Sequence, residues 1–571
     1  MPAFSNAKVA EILRGVGAAY QIKGLGNKFQ IIAYENAATS IEHATESVYE
    51  FWKEKKLDEI PGVGSHLQTY LDELFQTGKV KHFAEVTKGI PEAAFTFLNI
   101  PGVGPKTAYK LAVEGQASSI ADLKDRISSG KLQKAGFSTK AIDNITRGIS
   151  QLQGLKKRLL LPDALNIANE LISGLKKDPD VIKADPVGSI RRMNATVGDI
   201  DLVASTTDIQ KTLDTFAKLP QVKEVLNRGD DRSSVILKNS LQIDLLVSPP
   251  KSYGSLLQHF TGGKAHNIHF RKLALERGLS VSEEGVKNIK TGKVNPCQTE
   301  EEVYKFLNMQ TPPPEIREDT GEIEAALKHQ LPRLIEQTDI LGDLHTHTEY
   351  SDGLASVKEM TDAARELGYK YSASTDHSYP NLDYQKRLKE IEKYNYSHKD
   401  FRVIKGLEVN ITSEGKLQAP DKVLEEHEFN IASIHSSFSQ TEGELTDRVL
   451  YALKHPLINM IGHPTGRILN EREGYTLDWE KVFNAAQEYD KVLEIDGYPA
   501  RSDLPDPLIR EAVKRKIKLS IDTDAHRPEH LEFMNFAVAL ARRGWATPDL
   551  VINTWPIPKL LDYLKKPRMK S

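Results

Sequence analysis

Apolar residues are spaced differently in successive parts of this 571-residue chain. Up to about residue 150 they recur at helical intervals between glycine-rich turns, a pattern that predicts short helices. Between about residues 180 and 250, runs rich in valine, isoleucine and leucine predict strands in "DIDLVAS", "SSVILKN" and "LQIDLLVSP". We therefore expect a helical region followed by a region built on a mixed sheet.

Beyond residue 338, strand-like segments alternate with amphipathic helices. The segments are "LGDLHTH", "YKYSASTDH", "FRVIKGLEVN", "FNIASIHS", "LINMIGH", "KVLEIDG" and "IKLSIDTDAH". Since strands that alternate with helices are typical of an α/β barrel, we expect one here. Before it, "MQTPPPEIREDTGEIEA" combines three prolines with clustered charges and predicts a linker.

A short motif, "IPGVG", occurs at residues 60–64 and again at 100–104, each time before a helical pattern. Its glycines permit a tight turn that leaves backbone N–H groups at the helix N-terminus, where phosphate can bind. Two purely structural turns are the alternative. The pair resembles the helix-hairpin-helix motif, which holds the DNA backbone without reading sequence. The resemblance implies DNA contacts by Gly62, Val63, Gly64, Gly102, Val103, Gly104 and Lys106.

Carboxylates are concentrated in the predicted strands that follow. Asp199 and Asp201 are separated by a single residue, so in a strand both would face the same side. Asp244 lies in another apolar segment that predicts a strand. Adjacent carboxylates repel one another unless a cation lies between them, and Mg²⁺ prefers oxygen ligands. The preceding "GSIRR" offers backbone donors and a guanidinium for phosphate. Three strand-borne aspartates predict a site for phosphoryl or nucleotidyl transfer, with surface acids at strand ends as the alternative.

Histidines and acids also follow the predicted barrel strands, where such barrels build their active sites. A lone histidine in this position is more often a core or surface residue, but the whole set predicts one metal centre. Imidazole with carboxylate suits Zn²⁺, Mn²⁺ or Fe²⁺, and the ligands are too many for one tetrahedral ion, so two or three ions are expected. The expected ligands are His345, His347, Asp352, His377, Glu408, His435, His463, Asp524 and His526.

Composition limits the class of protein. The chain is 39% hydrophobic and 27% charged, its net charge is −3, and its mean hydropathy is −0.43. A bulk polycation is excluded, so any nucleic acid must be held through local contacts. The single cysteine, Cys297, excludes an intrachain disulfide framework. With no signal-like N-terminus and no long apolar run, we expect a soluble cytoplasmic protein without membrane contact.

The motifs between residues 186 and 275 resemble those of the X family of DNA polymerases, the DNA polymerase beta-like group. The resemblance is carried by "GSIRR", "GDID" and "LLQHFTGGKAHNIHFRKLAL". It implies that Asp199 and Asp201 hold two Mg²⁺ or Mn²⁺ ions and that Asp244 holds the one beside the primer 3′-hydroxyl. It also implies that dNTP, the nascent base pair and template are contacted by Gly188, Ser189, Arg192, Gly198, His259, Phe260, Gly262, Asn267 and Arg271.

The nine barrel ligands resemble those of the PHP (polymerase and histidinol phosphatase) domain, as does "LEIDGYPARSDL", although Asp496 stands where asparagine is frequent. This second resemblance implies a metal-dependent 3′→5′ exonuclease, with 3′-phosphatase or abasic-site nuclease activity as further options. Together the two resemblances identify the chain as a prokaryotic X-family polymerase with a C-terminal PHP domain, acting on gapped or primer–template DNA in repair and expected to be a monomer.

The sequence departs from the X-family pattern at five positions. His259 replaces a tyrosine beside the nucleotide sugar, Gly263 replaces a serine, and Ala195 replaces an acid. Tyr70 stands where family members with deoxyribose-phosphate lyase activity have their Schiff-base lysine, and His66 replaces a nearby lysine. We therefore predict that lyase activity is absent here.

The expected domains are two helical ones, 1–80 and 81–154, a nucleotidyltransferase palm, 155–250, a subdomain binding the nascent base pair, 251–310, a linker, 311–337, and a distorted (β/α)7 PHP barrel, 338–571. Three alternatives stay open. They are a PHP phosphoesterase whose front half binds DNA without polymerising, a non-catalytic scaffold at DNA ends, and a template-independent nucleotidyltransferase.

Overall fold

The computed structural model describes residues 6–565 apart from 26, 44–47, 54, 61, 101, 155–157, 240 and 379–382. The prolines of both "IPGVG" motifs and the expected boundary at 154/155 therefore lie outside the described residues, as do the chain ends. The chain divides into two compact units, which meet between residues 157 and 158.

The described part of the first unit is helical and contains no strand. Its helices bury two apolar clusters, one around Leu13, Tyr34 and Leu71 and one around Phe97 and Leu111. The helices are α1 Asn6–Lys23, α2 Lys28–His43, α3 Val48–Lys53, α4 Ser65–Thr77, α5 Lys81–Thr87, α6 Glu92–Phe97, α7 Pro105–Val113, α8 Ile120–Ser128, α9 Lys131–Lys134 and α10 Thr139–Gly154, with a 3-10 turn at Leu57–Glu59.

The second unit begins with a sheet whose strands run in the order β2-β4-β7-β6-β5. Strands β4 and β7 are parallel and the other neighbours are antiparallel, so the sheet is mixed. Helices α11 and α13 cover it through Leu171, Leu213 and Phe216. The elements are β1 Leu159–Leu160, α11 Leu161–Leu175, β2 Val181–Pro186, α12 Gly188–Arg191, β3 Thr196–Val197, β4 Ile200–Thr206, α13 Ile209–Ala217, β5 Val222–Arg228, β6 Arg232–Leu237 and β7 Gln242–Ser248.

A smaller subdomain packs helices against a three-stranded antiparallel sheet, β10-β9-β8. Its core includes Phe270, Val286 and Tyr304. The elements are α14 Tyr253–Thr261, α15 Lys264–Glu276, β8 Leu279–Ser282, β9 Gly285–Asn288, β10 Val294–Asn295, α16 Glu300–Lys305 and α17 Glu322–Leu327, with 3-10 turns at Pro250–Ser252 and Pro314–Ile316.

The segment expected to be a linker, 311–337, is packed rather than extended through solvent. Arg317 is fully buried, where it pairs with Glu300 at 2.5 Å and donates to the Pro312 carbonyl. Ile316 and Leu334 pack with Trp545 of the C-terminal region. Some of the prolines and charges that suggested a linker, including Pro312, Arg317 and Glu322, are therefore buried against neighbouring parts of the second unit.

Residues from 342 onward form a parallel sheet with its strands in sequence order, nearly closed by a bridge between Thr346 and Ala525. Each strand lies within one of the seven predicted segments. The elements are β11 Gly342–Thr346, α18 Val357–Glu366, β12 Tyr371–Ser374, α19 Tyr384–Ser397, β13 Arg402–Asn410, α20 Asp421–Glu425, β14 Phe429–Ser433, α21 Glu442–Lys454, β15 Met460–Ile461, α22 Trp479–Glu488, β16 Val492–Asp496, α23 Asp506–Lys514, β17 Leu519–Asp522, α24 Met534–Arg543 and α25 Ile557–Leu564, with 3-10 turns at Gln337–Asp339, Pro528–Phe533, Pro548–Leu550 and Ile552–Thr554.

The predicted fold class is confirmed: helical domains, a mixed sheet and a parallel barrel follow one another along the chain. Within the described residues, none of the helices combines the length and the apolar character that crossing a membrane requires.

Candidate active sites

The two "IPGVG" motifs form the same turn. Gly62 and Gly102 have φ angles of 83° and 82°, a left-handed conformation that glycine adopts without strain. The N-caps of α4 and α7 are Gly64 and Gly104, which carry no side chain, so the first-turn N–H groups of both helices have no side-chain cap. This geometry leaves two helix N-termini that can accept phosphate.

The two valines of these motifs contribute differently from the glycines. Val63 and Val103 are buried, and their N–H groups donate to the carbonyls of Ile60 and Ile100, both at 3.0 Å. They fix the turns from inside the helical cores, whereas Lys106 is exposed.

Tyr70, at the position of the family's lysine, is packed among aromatic rings. Its ring stacks on His82 at 4.9 Å between centroids and lies edge-on to Phe83. His82 in turn lies 2.8 Å from the hydroxyl of Tyr20. The position therefore carries a ring that stabilises the helical core and no amine.

The predicted carboxylates of the mixed sheet lie on neighbouring strands. Asp201 and Asp244 are direct partners in the parallel register of β4 and β7. Asp199 immediately precedes β4 rather than lying within it, and its charge acts on Asp201. Gln242 donates to both oxygens of Asp244, at 3.3 and 3.4 Å.

The carboxylate of Asp201 lies among like charges. Burial, followed by the nearby charges of Asp244 and Asp199, raises the pKa of Asp201 to about 6. A cation among the three carboxylates would remove that repulsion. Gly188, with a φ of 59°, lies close to this carboxylate. A β-carbon at this position would lie 3.4 Å from Oδ2 of Asp201.

Both arginines of "GSIRR" have protein partners. Arg191 forms a two-pronged ion pair with Glu300, at 2.9 and 2.6 Å. Arg192 donates to Glu318 at 2.9 Å and to the carbonyl of Thr261 at 2.8 Å. Nε and Nη1 of Arg192 are therefore engaged, and a phosphate would compete with Glu318 for the guanidinium. Ser189, in α12, lies in the same turn and accepts from the N–H of Asn194 at 2.9 Å.

The structure brings together four residues expected near the nucleotide. Asn267 donates to the carbonyl of His259 at 2.7 Å, and Arg271 lies 3.0 Å from His259 Nδ1. The ring of Phe260 is 4.7 Å from that of His259. Burial and the charge of Arg271 lower the pKa of His259, against the opposing charge of Glu283. Gly262 lies close beside them, since a β-carbon at this position would lie 2.7 Å from Asn267 Oδ1 and would displace that side chain.

The nine predicted barrel ligands converge at the carboxyl ends of the strands. Only His345 and Glu408 lie within strands; the other seven lie in the segments that follow them. Three groups of these side chains offer ligand atoms within 4.8 Å of one another among the described residues. The groups are His347, Asp352, His377 and His526; His345, His347 and Asp524; and His377, Glu408 and His435.

Glu408 is the centre of this ring. One of its oxygens, Oε2, lies 3.3 Å from His345, 3.5 Å from His347 and 3.0 Å from His377. The other, Oε1, lies 3.2 Å from His435 and 3.0 Å from His463. Burial raises the pKa of Glu408, but these imidazoles outweigh it and hold the pKa well below its usual range.

The ring fits metal ions by its chemistry and by its unsatisfied atoms. Despite the short distances, several buried nitrogens and oxygens lack an aligned hydrogen bond, which would be costly without another partner. They include His345 Nε2, both ring nitrogens of His347, Glu408 Oε2, His435 Nε2, Asp524 Oδ2 and His526 Nε2. Imidazole and carboxylate donors in such a set are those that transition-metal ions and zinc prefer.

Sequence reasoning missed residues that support the ring. Glu494, on β16, lies 2.5 Å from Nδ1 of His345, and its other oxygen accepts the N–H of His463. A carboxylate behind a metal-binding histidine fixes its tautomer and orientation. The signal was present in "VLEID": an acid in a strand that is otherwise apolar must have a buried partner.

A buried aspartate lies behind the ring, and an arginine with a neighbouring aspartate lies beside it. Asp376 is fully buried, pairs with Arg387 at 2.9 Å and accepts the N–H of Thr348. Arg501 lies 3.3 Å from Asp524 and 3.6 Å from Asp496, and is the guanidinium that follows β16. Asp376 lies in the segment "TDH" and Arg501 in "YPARSDL". The sequence alone does not indicate that their side chains face the ring.

Comparison with protein families matches three parts of the chain. A helix-hairpin-helix domain model matches residues 4–80, a DNA polymerase beta thumb model matches 256–318, and a PHP domain model matches 343–498.

Comparison with single proteins covers nearly all of the chain. The DNA polymerase/3′-5′ exonuclease PolX of Bacillus subtilis (strain 168) is 33% identical over 569 residues, 98% of this chain and 99% of that protein. A probable phosphatase of Thermoanaerobacter sp. (strain X514) is 29% identical over 244 residues, 40% of this chain and 96% of that protein. DNA polymerase lambda of Rattus norvegicus is 24% identical over 341 residues, 53% and 55% of the two chains.

Helical hairpins, paired aspartates on a mixed sheet and an imidazole-lined barrel define an enzyme of the nucleotidyltransferase class joined to a phosphoesterase-type domain. The chain belongs to the X-family DNA polymerases that carry a PHP domain.

Proposed function

We propose that this protein fills short gaps in DNA during repair by template-directed polymerisation, and that its barrel removes or trims 3′ ends as a 3′→5′ exonuclease. The observation that carries the proposal is the presence of two ligand clusters in one chain: the register pair Asp201–Asp244 and the ring around Glu408. The named activities of the B. subtilis relative support it.

In the polymerase site, Asp199, Asp201 and Asp244 would hold Mg²⁺ or Mn²⁺, which shields the triphosphate charge and lowers the pKa of the primer hydroxyl. With Asp244 assisting loss of its proton to solvent, the primer 3′-hydroxyl oxygen would attack the α-phosphate. The new P–O bond forms as the bond between the α- and β-phosphates breaks, and pyrophosphate leaves. Gly188, Ser189, Arg192 and Gly198 are proposed to bind the triphosphate, Phe260 and Gly262 to border the sugar, and Asn267 and Arg271 to contact the nascent pair. His259, at the place of the usual tyrosine, would border the sugar and orient Arg271.

In the barrel, the nine ligands would hold two or three ions of Zn²⁺, Mn²⁺ or Fe²⁺, which activate water for attack on a phosphodiester. The proposed tasks of the chain's own residues are to orient His345 through Glu494 and to keep Glu408 ionised at the centre. The phosphatase relatives that match the barrel favour a second activity on 3′-phosphate ends.

A one-nucleotide gap with a 5′-phosphate, assayed with and without dNTPs in Mg²⁺, Mn²⁺ and Zn²⁺, tests both sites together. Asp199→Ala with Asp201→Ala should abolish extension and spare 3′ trimming, whereas His345→Ala with His347→Ala should do the reverse. Loss of both activities in either folded variant contradicts a two-site enzyme. Added nucleotides that ignore the template would point to a template-independent transferase, and a 3′-phosphate primer tests the phosphatase.

The turns after Gly62 and Gly102 are proposed to hold the two sides of the gap through phosphates, with Lys106 beside the second. We propose the domain limits given from sequence, a monomer, and a cytoplasmic location. Lyase activity is proposed to be absent because Tyr70 has no amine. Borohydride trapping of the protein on an abasic-sugar phosphate tests this, and rapid trapping would overturn it.

A further inference from the structure

The last residue of α24, in the barrel domain, contacts the turn that begins with Gly188. Arg543 is almost buried, with 6% of its side chain exposed. One of its guanidinium nitrogens donates to the carbonyl of Arg192 and to Oδ1 of Asn194, both at 2.8 Å. Phe536 of the same helix packs against the core of the mixed sheet, so the helix is anchored there.

These two hydrogen bonds span Met193. Met193 has a φ of 56°, a backbone conformation that residues other than glycine rarely adopt. The neighbouring Asn194 donates back to the carbonyl of Ser189 at 2.9 Å, which closes the turn. Arg543 therefore holds the open end of the turn in the shape that places Ser189 and Arg192.

Arg543 also shares an acid with Arg192. Oε1 of Glu318 accepts from Arg192 Nε at 2.9 Å and lies 3.2 Å from Arg543. The other nitrogen of Arg543 pairs with Asp506 at 2.7 Å. Charges thus alternate from Asp506 through Arg543 and Glu318 to Arg192. If Arg192 moves to a triphosphate, Glu318 keeps a cationic partner only through Arg543, and a half-buried carboxylate without one would be costly.

We propose that Arg543 is a positioning residue of the polymerase site, supplied by the PHP domain, that fixes the 188–194 turn and releases Arg192 from Glu318 for the incoming nucleotide. The proposal rests on the proposed function, because it assigns Arg192 to the triphosphate. It adds that the barrel domain has a task in nucleotide binding separate from its own metal ring.

Arg542 provides the matched control. It is the preceding residue of the same helix, but it donates to Glu315 at 2.8 Å and to the Ile335 carbonyl at 2.9 Å. Arg542→Ala removes an ion pair between the same helix and the packed segment 311–337 without removing a hydrogen bond to the turn. If Arg543 only docked the two domains, both alanine variants would affect the polymerase alike.

The experiment measures KM and kcat for dNTP on a one-nucleotide gap with the full chain, together with 3′ trimming. Arg543→Ala should raise the dNTP KM about tenfold, as expected for a coupling of this kind, and leave trimming unchanged. Arg542→Ala should leave KM within about twofold, while Arg543→Lys should fall between, since lysine keeps the charge but not the fork of donors.

A rescue separates positioning from a loss of packing. In Arg543→Ala, Glu318 has Arg192 as its remaining arginine partner, so adding Glu318→Gln should free Arg192 and restore the part of the KM that depends on its release. The part that depends on the hydrogen bonds from Arg543 to the turn should not be restored. The proposal is overturned by an unchanged KM in Arg543→Ala, by equal effects of Arg542→Ala, or by no rescue. Absence of nucleotide incorporation by the wild-type protein would instead contradict the proposed polymerase function.

Discussion

The two ligand clusters differ in what they offer a cation before substrate arrives. The aspartates of the mixed sheet are an all-oxygen set, with Asp199 exposed and Asp201 and Asp244 half-buried. The barrel ring is a mixed nitrogen–oxygen set whose centre, Glu408, is 1% exposed. An open oxygen cluster suits a cation that arrives with substrate phosphates, whereas a closed ring of imidazoles suits ions that stay bound between turnovers.

Their supporting contacts differ in the same direction. Asp244 has Gln242 beside it, an exposed side chain with long hydrogen bonds. His345, in contrast, is held by Glu494 at 2.5 Å within the barrel. We therefore expect that metal binding by the ring depends on the side chains that support its ligands, and that metal binding by the aspartate cluster depends mainly on its substrate. The following changes test this.

The largest effect is expected from Glu408→Gln, which removes the one negative charge shared by five histidines. We expect 3′ trimming to fall about 10³-fold, because a metal centre contributes several kcal/mol to such chemistry. Gap filling should not change. Metal content by mass spectrometry and both activities are measured beside Glu414→Gln, a change at an exposed acid of the same domain. Normal trimming by Glu408→Gln would remove the ring from the mechanism.

Glu494→Gln should have the next largest effect. It leaves every proposed ligand in place but replaces the carboxylate that orients His345, a kind of change that costs about 10–100-fold in metal affinity. The measurement is a zinc titration of metal-stripped protein. An unaltered affinity would show that the barrel alone orients His345.

The third prediction concerns pH. Because the pKa of Asp201 is raised to about 6, protons compete with Mg²⁺ below that pH, and the affinity should fall up to tenfold per pH unit on acidification. Above about pH 7 it should level off.

The ring should respond to pH over a different range. Burial lowers the pKa of His526, but Asp352 and Asp524 outweigh it and raise that pKa to about 9, so a proton must leave before metal binds. Metal affinity there should keep rising toward pH 9. Metal affinity is measured at each site between pH 5 and 9, with Asp201→Asn and His526→Ala as variants that remove the two titrating groups. Affinities that levelled off at the same pH at both sites would contradict the comparison.

The smallest effect is expected from Gln242→Ala. The lost amide makes only long hydrogen bonds to Asp244, so we expect gap filling to slow by about fivefold or less, the value of one weak hydrogen bond. Single-turnover rates with saturating dNTP measure it. A drop as large as that of Glu494→Gln would mean that the aspartate cluster is as dependent on its surround as the ring is.

Much of the fold could be predicted because the apolar pattern is local. Each barrel strand lies within a predicted segment, and the ligand positions follow from the rule that such strands end at one face. The pairing of Asp201 with Asp244 needed the strand order, since β5 and β6 lie between them in sequence and not in the sheet. Strand β5, "VKEVLNR", is largely exposed and shows no alternation of apolar and polar residues.

The rest depended on contacts between distant parts of the chain. Asp199 could not be placed outside β4 from spacing alone, and nothing in "RRGW" indicates that Arg543 meets the turn at Arg192. The segment 311–337 was predicted from its prolines and charges, but those side chains have buried partners such as Glu300 that lie elsewhere in sequence. Composition describes a segment by itself, whereas burial depends on what the rest of the chain brings to it.

The packed segment 311–337 has a consequence for how a primer end would be shared. A loose tether would let one catalytic module swing over toward the other, but Arg317, Ile316 and Leu334 fasten this connector to both sides. We therefore expect the DNA, rather than a domain, to move between the two sites: a mispaired primer terminus would have to melt or dissociate to reach the ring around Glu408. Terminal mismatches that fray easily should then be edited fastest.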